Sequence, residues 1–333
     1  MEHDRISAIR NIAAQLSAEL SSLSDAIWAH PETAFHETYA CQTLSRYLAE
    51  KGFSVDMGIG GLSTAFAASR GSGAPVIGFL GEYDALPGLG EDGGVGHGCG
   101  HNLLGVGAAG AAIVLSEYLE SRHLPGKVRF FGCPAEESGA GKEILAREGA
   151  FSGLSACFTW HPETHNRAVT QSTLANLIAE VEFHGAASHA ALSPQLGRSA
   201  LDACELMNVG ANYLREHVPP DVRFHYAYTN AGGQSPNIVQ ASASLLYYVR
   251  AETLSAAESV LARLHNVARG AALMTGTELS FRRISAMSDY LPNGTLSRLV
   301  DKAFHEIGAP VFTEKDKAAA GRFSAKTPPF STE

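Results

Sequence analysis

The sequence predicts an α/β protein: a mainly parallel sheet covered by helices and interrupted by a second domain of βαββαβ order. Three observations predict it. Helical apolar stripes alternate with short apolar runs as far as residue 160. From about residue 175 the order becomes strand, helix, two strands, helix, strand. Gly197 and the Gly232-Gly233 pair punctuate that second set as turn chemistry requires.

The elements follow in order. Residues 5–29 carry Ile6, Ile9, Ile12, Leu16, Leu20, Leu23 and Ile27 at three-to-four spacing, one buried stripe of a helix. Tyr39 to Glu50 repeats the pattern. Apolar runs at 64–68, 76–80, 127–132 and 155–160 read as strands, and the Ala-rich stretch 103–120 reads as a helix between two of them. Strands separated by helices imply parallel pairing with both sheet faces covered.

The second set reads as strand 177–184, helix 198–216, strand 222–230, strand 243–250, helix 255–273 and strand 277–284. That is the ferredoxin-like order, inserted into the first domain. After Tyr290-Leu291-Pro292 a helix at 294–307 returns to the first domain. The tail from Phe312 lacks periodicity and is expected to be loose. No internal repeat is visible.

Composition narrows the function. The 333 residues are 45% hydrophobic and 18% charged, ordinary for a globular chain with a sizeable core. The formal net charge is −9 and no block of five like charges occurs, so neither nucleic acid nor an anionic membrane is expected as a partner. Five scattered cysteines suggest a reducing compartment, read as the cytoplasm. The N-terminal stretch MEHDRISAIRNIAAQL has no apolar signal core, and no run of eighteen apolar residues occurs, so neither export nor a membrane span is expected.

Several motifs fail. Gly88, Gly90 and Gly93 satisfy a bare GxGxxG, but more glycine follows where a dinucleotide fold starts its helix. Gly141-Lys142 resembles the end of a phosphate loop, yet Glu136 stands where the first glycine belongs and Glu143 replaces the Ser or Thr. No GxSxG elbow and no HExxH helix is present.

What remains is a set of potential ligands at strand ends. In GHGCGH, Cys99 and His101 sit two apart, so on extended backbone both project to one side. A helix beginning near Asn102 would bring its positive end beside Cys99 and favour the thiolate. Taken alone, the pair fits a metal site and a buried cysteine with an incidental histidine equally well. Glu136 and Glu137 follow the apolar run KVRFFGCP, at the carboxyl end of a strand, where open α/β sheets build their sites. Adjacent side chains diverge there, so one carboxylate can ligate while the other faces water; two solvated glutamates at a helix start is the plainer alternative. His161 ends another apolar run. Thiolate, imidazole and carboxylate from separate strand ends suit a first-row divalent metal. Asp84, in GEYDALP, fits the carboxylate that orients a ligating histidine, or a turn Asp before Leu-Pro.

With these residues the sequence resembles the co-catalytic metallopeptidase and amidohydrolase family M-twenty, in its aminoacylase, carboxypeptidase and hippurate-hydrolase branch, to which the aminobenzoyl-glutamate hydrolases belong. GEYDALPGL, GHGCGHNLLG, GCPAEESGAGK, TWHPE, SHAALSPQLGRSALDA, GGQSPNIVQA and YLPNGTL resemble its motifs in order, over roughly residues 20–310. The resemblance implies a hydrolase with two divalent ions, zinc or manganese, that cuts the amide bond of an N-acyl amino acid or dipeptide. It makes Cys99, His101, Glu137 and His161 metal ligands and Glu136 the general base, with Asp84 beside them. It gives His189 the oxyanion and Asn237 and Arg250 the substrate carboxylate. It implies a metal-binding catalytic domain at 1–174 plus 289–311 and a lid and dimerisation domain at 175–288, leaving 312–333 as a disordered tail. The implied assembly is a homodimer, or a heteromer with an A-type subunit. Relatives supply a last histidine ligand further along than Glu333, so the resemblance implies a chain truncated at its C-terminus, with an incomplete catalytic domain and an incomplete second metal site. The alternative that follows is an inactive subunit that engages a partner through the lid.

Overall fold

The computed structural model describes residues 2–90, 93–163 and 165–324. The chain forms two units, Met1–Arg167 with Ala303–Glu333, and Ala168–Lys302.

The first unit opens with α1 (Glu2–Trp28) and α2 (Thr38–Glu50), then β1 (Ser54–Met57), β2 (Phe66–Ser72) and β3 (Val76–Glu82). A small hairpin, β4 (Leu86–Pro87) with β5 (Val95–Gly96), leads into α3 (His101–Ser121). Then come β6 (Gly126–Cys133), the short helices α4 (Glu136–Gly139) and α5 (Gly141–Arg147), and β7 (Ala156–Phe158). The sheet order is β1-β2-β6-β3-β7. Its centre is parallel, with β6 and β7 both running alongside β3 in the same direction, as helical crossovers require. The β1–β2 and β2–β6 pairs are antiparallel.

Alternation along β6 builds two cores. Val128 and Phe130 face Leu44, Leu48, Ile113 and Phe66, while Phe131 and Cys133 face Ala67 and Leu145 on the other side. The sheet is thus covered on both faces. Helix α3 is 21 residues long and apolar enough to pass for a membrane span, but 56% of its apolar window is buried in this core. It approaches β3 closely: a Cβ on Gly105 would stand 2.6 Å from the Glu82 carbonyl oxygen, so only glycine lets the helix seat there.

The second unit contains β8 (Ala175–His184), α6 (Ala200–Leu214), β9 (Arg223–Asn230), β10 (Ser242–Ala251), α7 (Leu254–Thr275) and β11 (Glu278–Met287). Its sheet order is β11-β8-β10-β9 and every pairing is antiparallel, the arrangement that βαββαβ order produces. Leu177, Val181 and Phe183 of β8 and Leu245 and Val249 of β10 pack with Met207 of α6 and Leu264 of α7. Both helices start as their sequences specify. Ser199 Oγ accepts the Asp202 N–H and Thr253 Oγ1 accepts the Ala256 N–H.

Helix α8 (Gly294–Ile307) follows, its last residues from Ala303 belonging to the first unit, and then α9 (Glu314–Ser324). The α9 helix corrects the expectation of a tail that is loose from Phe312. Periodicity is indeed missing, but helix propensity and a cap suffice: Thr313 Oγ1 accepts the Asp316 N–H while the Asp316 carboxylate accepts the Thr313 N–H. Residues 325–333 of that expected tail lie outside the described residues. All five cysteines are free thiols.

Candidate metal centre

The carboxyl ends of β3, β6 and β7 converge, together with the loop before α3, on one cluster. Asp84 follows β3, Glu136 and Glu137 open α4 just after β6, and His161 lies three residues past β7. Cys99 precedes α3 and His101 is its first residue. Gly100 between them has φ 78, a left-handed conformation that turns the chain so that both neighbours reach the cluster. A Cβ there would also stand 3.0 Å from Pro162, so the GCGH turn and the loop carrying His161 fit together only around glycine.

His101 is the hub and is fully buried. Its Nδ1 lies 2.9 Å from Asp84 Oδ1, and since a carboxylate only accepts, the ring proton is assigned to Nδ1. The other Asp84 oxygen accepts the Glu137 N–H at 2.9 Å. One buried carboxylate therefore orients both an imidazole and the backbone of the glutamate pair. His161 repeats the tautomer, with Nδ1 2.8 Å from the Pro162 carbonyl oxygen and Nε2 3.4 Å from Cys99 Sγ. The two imidazoles meet edge to face at 5.6 Å.

That leaves the lone pair on His101 Nε2 with nothing to accept. The atom is buried without a hydrogen-bond partner, as is Glu137 Oε1. Around Nε2 stand Glu82 Oε2 at 3.3 Å, Glu137 Oε1 at 3.8 Å and Glu136 Oε2 at 3.9 Å, all electron-rich. A buried lone pair facing carboxylates is unfavourable unless a second ring proton or a metal cation lies between them. Ligand atoms of Cys99, His101 and His161 lie within 4.8 Å of one another, and so do those of Glu82, His101 and Glu136. The donor set fits a divalent metal.

The charges respond to this crowding. Burial alone would raise the Asp84 carboxyl, but the His101 hydrogen bond and the Glu137 N–H outweigh it and hold the group below its ordinary range. Burial likewise opposes a charged His101, and Asp84, Glu82 and Glu137 overcome it and raise its pKa. Glu136 is raised, by burial first, with Lys142 partly offsetting and Glu82 adding to the effect. Cys99 corrects an expectation: instead of being drawn toward the thiolate by the helix terminus, it is pushed up to about 12 by burial and by the Glu137 carboxylate.

Six of the nine residues singled out in the sequence thus come together: Asp84, Cys99, His101, Glu136, Glu137 and His161. The other three lie in the second unit. His189 and Asn237 are neighbours, since the Ala190 N–H donates to the Asn237 carbonyl and His189 bridges Ile238. Arg250 is exposed, eight residues along β10 from Ser242, about 27 Å at ~3.4 Å per residue. Ser242 marks the end of β10 from which the Asn237 loop departs, so Arg250 does not join that pair.

Glu82 and Glu37 were not singled out by the sequence reading. Glu82 ends β3, buried at 4% exposure, and pairs with Lys142 of α5. Glu37 is fully buried; its carboxylate accepts the Phe35 and Ala135 N–H groups and the Thr64 hydroxyl. Ala135 has φ 58 and immediately precedes Glu136, so Glu37 pins the strained turn that aims the glutamate pair. Glu37 stands 44 positions before GEYDALPGL and carries no spacing signal, although the acid-rich stretch HPETAFHE before α2 is visible; Glu82 lies inside GEYDALPGL, two residues before Asp84, and was passed over there.

The profile of Peptidase family M20/M25/M40 matches residues 78–325, the stretch that holds the whole cluster. The chain belongs to this family. It is 45% identical over 316 residues to the B-type subunit of p-aminobenzoyl-glutamate hydrolase from Escherichia coli, covering 92% of this chain and 66% of that one. It is 35% identical over 315 residues to mouse Xaa-Arg dipeptidase, covering 90% of this chain and 71% of that one. The chain therefore spans about two thirds of the length of these relatives. Among solved structures, a dinuclear metal-binding peptidase of the family from Bacillus subtilis superposes with a TM-score of 0.64 at 22% identity, over 91% of this chain and 82% of that one. That likeness is one of fold.

Proposed function

We propose that this chain is a metal-dependent amidohydrolase that cleaves the amide bond of an N-acyl amino acid or short peptide, with an aminobenzoyl-glutamate-like compound as substrate. The observation that carries it is the buried, unpartnered His101 Nε2, held in tautomer by Asp84 and faced by a thiol, an imidazole and carboxylates. The relatives named above supply the substrate class: one acts on an aminobenzoyl-glutamate amide, the other on a dipeptide.

Cys99, His101, Glu137 and His161 would hold the metal, as two divalent ions of zinc or manganese. Bound there, such ions polarise the scissile carbonyl and lower the pKa of water. The remaining work falls to side chains. Glu136, with its raised pKa, takes a proton from the attacking water at its carboxylate and delivers it to the nitrogen of the leaving amine. Asp84 keeps the His101 proton on Nδ1, so that Nε2 stays a donor of electrons throughout. His189 Nδ1 accepts the Ala191 and Leu192 N–H groups, which puts its own proton on Nε2, the form needed to stabilise an oxyanion. Asn237 beside it would bind the substrate carboxylate; Arg250, far along β10, would not act with them in one chain.

The E. coli relative is one subunit of its enzyme, so a different second subunit, or a second copy of this chain, is part of the proposal. Five free thiols accord with a reducing compartment. The inactive-subunit alternative is not favoured, because the residues proposed here as ligands, base and orienting group lie close together. The test is metal analysis with hydrolysis of p-aminobenzoyl-glutamate and of an Xaa-Arg dipeptide after loading with zinc or manganese. Bound metal and turnover in the parent, with both lost in His101→Ala, are expected. A folded parent that stays metal-free at saturating zinc and manganese overturns the reading.

A further inference from the structure

Carboxylates crowd many protein surfaces without binding anything. What singles out Glu82 is the company of a fully buried imidazole nitrogen that has no partner. Glu82 Oε2 approaches His101 Nε2 to 3.3 Å, nearer than either Glu136 or Glu137. Unless a cation lies between them, either a second ring proton or a metal ion, nothing joins these two atoms, yet the fold holds them together. Glu82 cannot be explained as an orienting carboxylate, because Asp84 already fills that role. Its other oxygen is taken: Oε1 pairs with the Lys142 ammonium, whose position at the start of α5 is fixed by the turn after Ala140. The pair therefore turns one lone-pair face of a buried carboxylate toward one lone pair of a buried imidazole.

His101 Nε2 has a single lone pair, so it can serve only one ion. The sulfur and imidazole set with Cys99 and His161 and the carboxylate set with Glu82 both draw on that atom. Resting on the metal-centre reading above, we propose that Glu82 is a further metal ligand, binding through Oε2 the ion that takes the His101 Nε2 lone pair, and that Lys142 is the positioning residue that aims it. This adds a hard oxygen donor to a centre whose motifs advertise soft ones, and it favours manganese more than a thiolate–imidazole site alone would.

The experiment uses the full chain, with manganese chloride titrated calorimetrically and cobalt chloride followed by visible and near-ultraviolet absorption. Glu82→Gln should weaken manganese binding by about 10–100-fold and change the cobalt d–d bands, while the near-ultraviolet thiolate–cobalt band from Cys99 persists. Lys142→Met decides the second half by its sign. If Lys142 only contributes a positive charge, removing it strengthens cation binding and the positioning role is overturned; if it aims Glu82, binding weakens. Wild-type manganese affinity and an unchanged d–d spectrum in folded Glu82→Gln overturn the ligand assignment. Should that variant not fold, Glu82→Asp takes its place: its shorter reach cannot serve both Lys142 and the ion, so parental affinity and spectrum would again overturn it. Failure of the underlying reading looks different, since the parent itself then binds neither manganese nor cobalt and His101→Ala changes nothing.

Discussion

The two units bury different things. In the second, the buried polar side chains among the described residues are neutral: Asn176, Asn208, Ser244 and Ser297. In the first, Glu37, Glu82, Asp84 and His101 are all buried at 4% exposure or less. The second unit also follows local rules closely, with Ser199 and Thr253 at helix starts and Gly276 in the left-handed position where α7 stops. The first breaks them at the tip of β6, where Ala135 and Ala140, both non-glycine, have φ 58 and 52. Buried charge and left-handed alanines in the same turn mark where the fold was shaped by chemistry rather than by packing.

The largest effect should come from the broken-rule region. Glu136→Gln removes the proton acceptor without altering shape, so kcat should fall by about 10²–10⁴-fold. Metal content, measured by mass spectrometry on the same sample, should stay at the parental level. If turnover survives, another group takes the proton and the contrast between the units loses its chemical meaning.

The converse change belongs to the second unit. Phe183 is fully buried in β8, and Phe183→Ala should reduce stability by about 3–5 kcal/mol in denaturant titration. The folded fraction should retain parental manganese affinity. A loss of affinity would tie the second unit's core to the centre.

This contrast also explains what could be read from sequence. Regular spacing is self-announcing, so the stripe from Ile6 to Ile27, the apolar run ending at Cys133 and the βαββαβ order were all visible, and the motif residues of the cluster with them. Glu82 and Lys142 lie inside GEYDALPGL and GCPAEESGAGK, but nothing in either motif marked them as site residues. They are partners 60 positions apart, a lone charge at a strand end has no period, and the GK dipeptide attracted only a phosphate-loop comparison that failed. Helix α9 was hidden for another reason: it is held by propensity and the Thr313–Asp316 cap, and it shows no amphipathic stripe.

Glu37 gives an intermediate effect with a pH signature. Glu37→Ala leaves the Ala135 N–H and the Thr64 hydroxyl without their acceptor and should reduce stability by about 1–3 kcal/mol. Glu37→Gln keeps an acceptor for both N–H groups and should recover most of it. Burial raises the Glu37 pKa above its unfolded value, so the folded chain holds that proton more tightly. Its contribution is complete below the ordinary carboxylate range and disappears as pH rises through the raised pKa. Thermal midpoints against pH should show that decline in the parent and not in Glu37→Gln; equal slopes would mean that Glu37 titrates alike in the folded and unfolded chain.

The smallest effects test the backbone directly, because Ala140 and Gly276 share one conformation and differ in residue. Ala140 has φ 52 and ψ 43 between α4 and α5, and Gly276 has φ 66 and ψ 31 after α7. An alanine in this region is disfavoured by about 1 kcal/mol relative to glycine, but glycine also gains about 0.4–1 kcal/mol of freedom in the unfolded chain. For Ala140→Gly the two nearly cancel, and stability should change by less than about 0.5 kcal/mol. For Gly276→Ala they do not, because the new Cβ would also meet Arg198 at 3.1 Å. A loss of about 1 kcal/mol is expected, read as a lower denaturant midpoint at constant slope. If Ala140→Gly proves stabilising by as much as Gly276→Ala is destabilising, the turn after β6 is held in place at real expense to the fold, and the alanine there is kept for the placement of Lys142 and the glutamate pair.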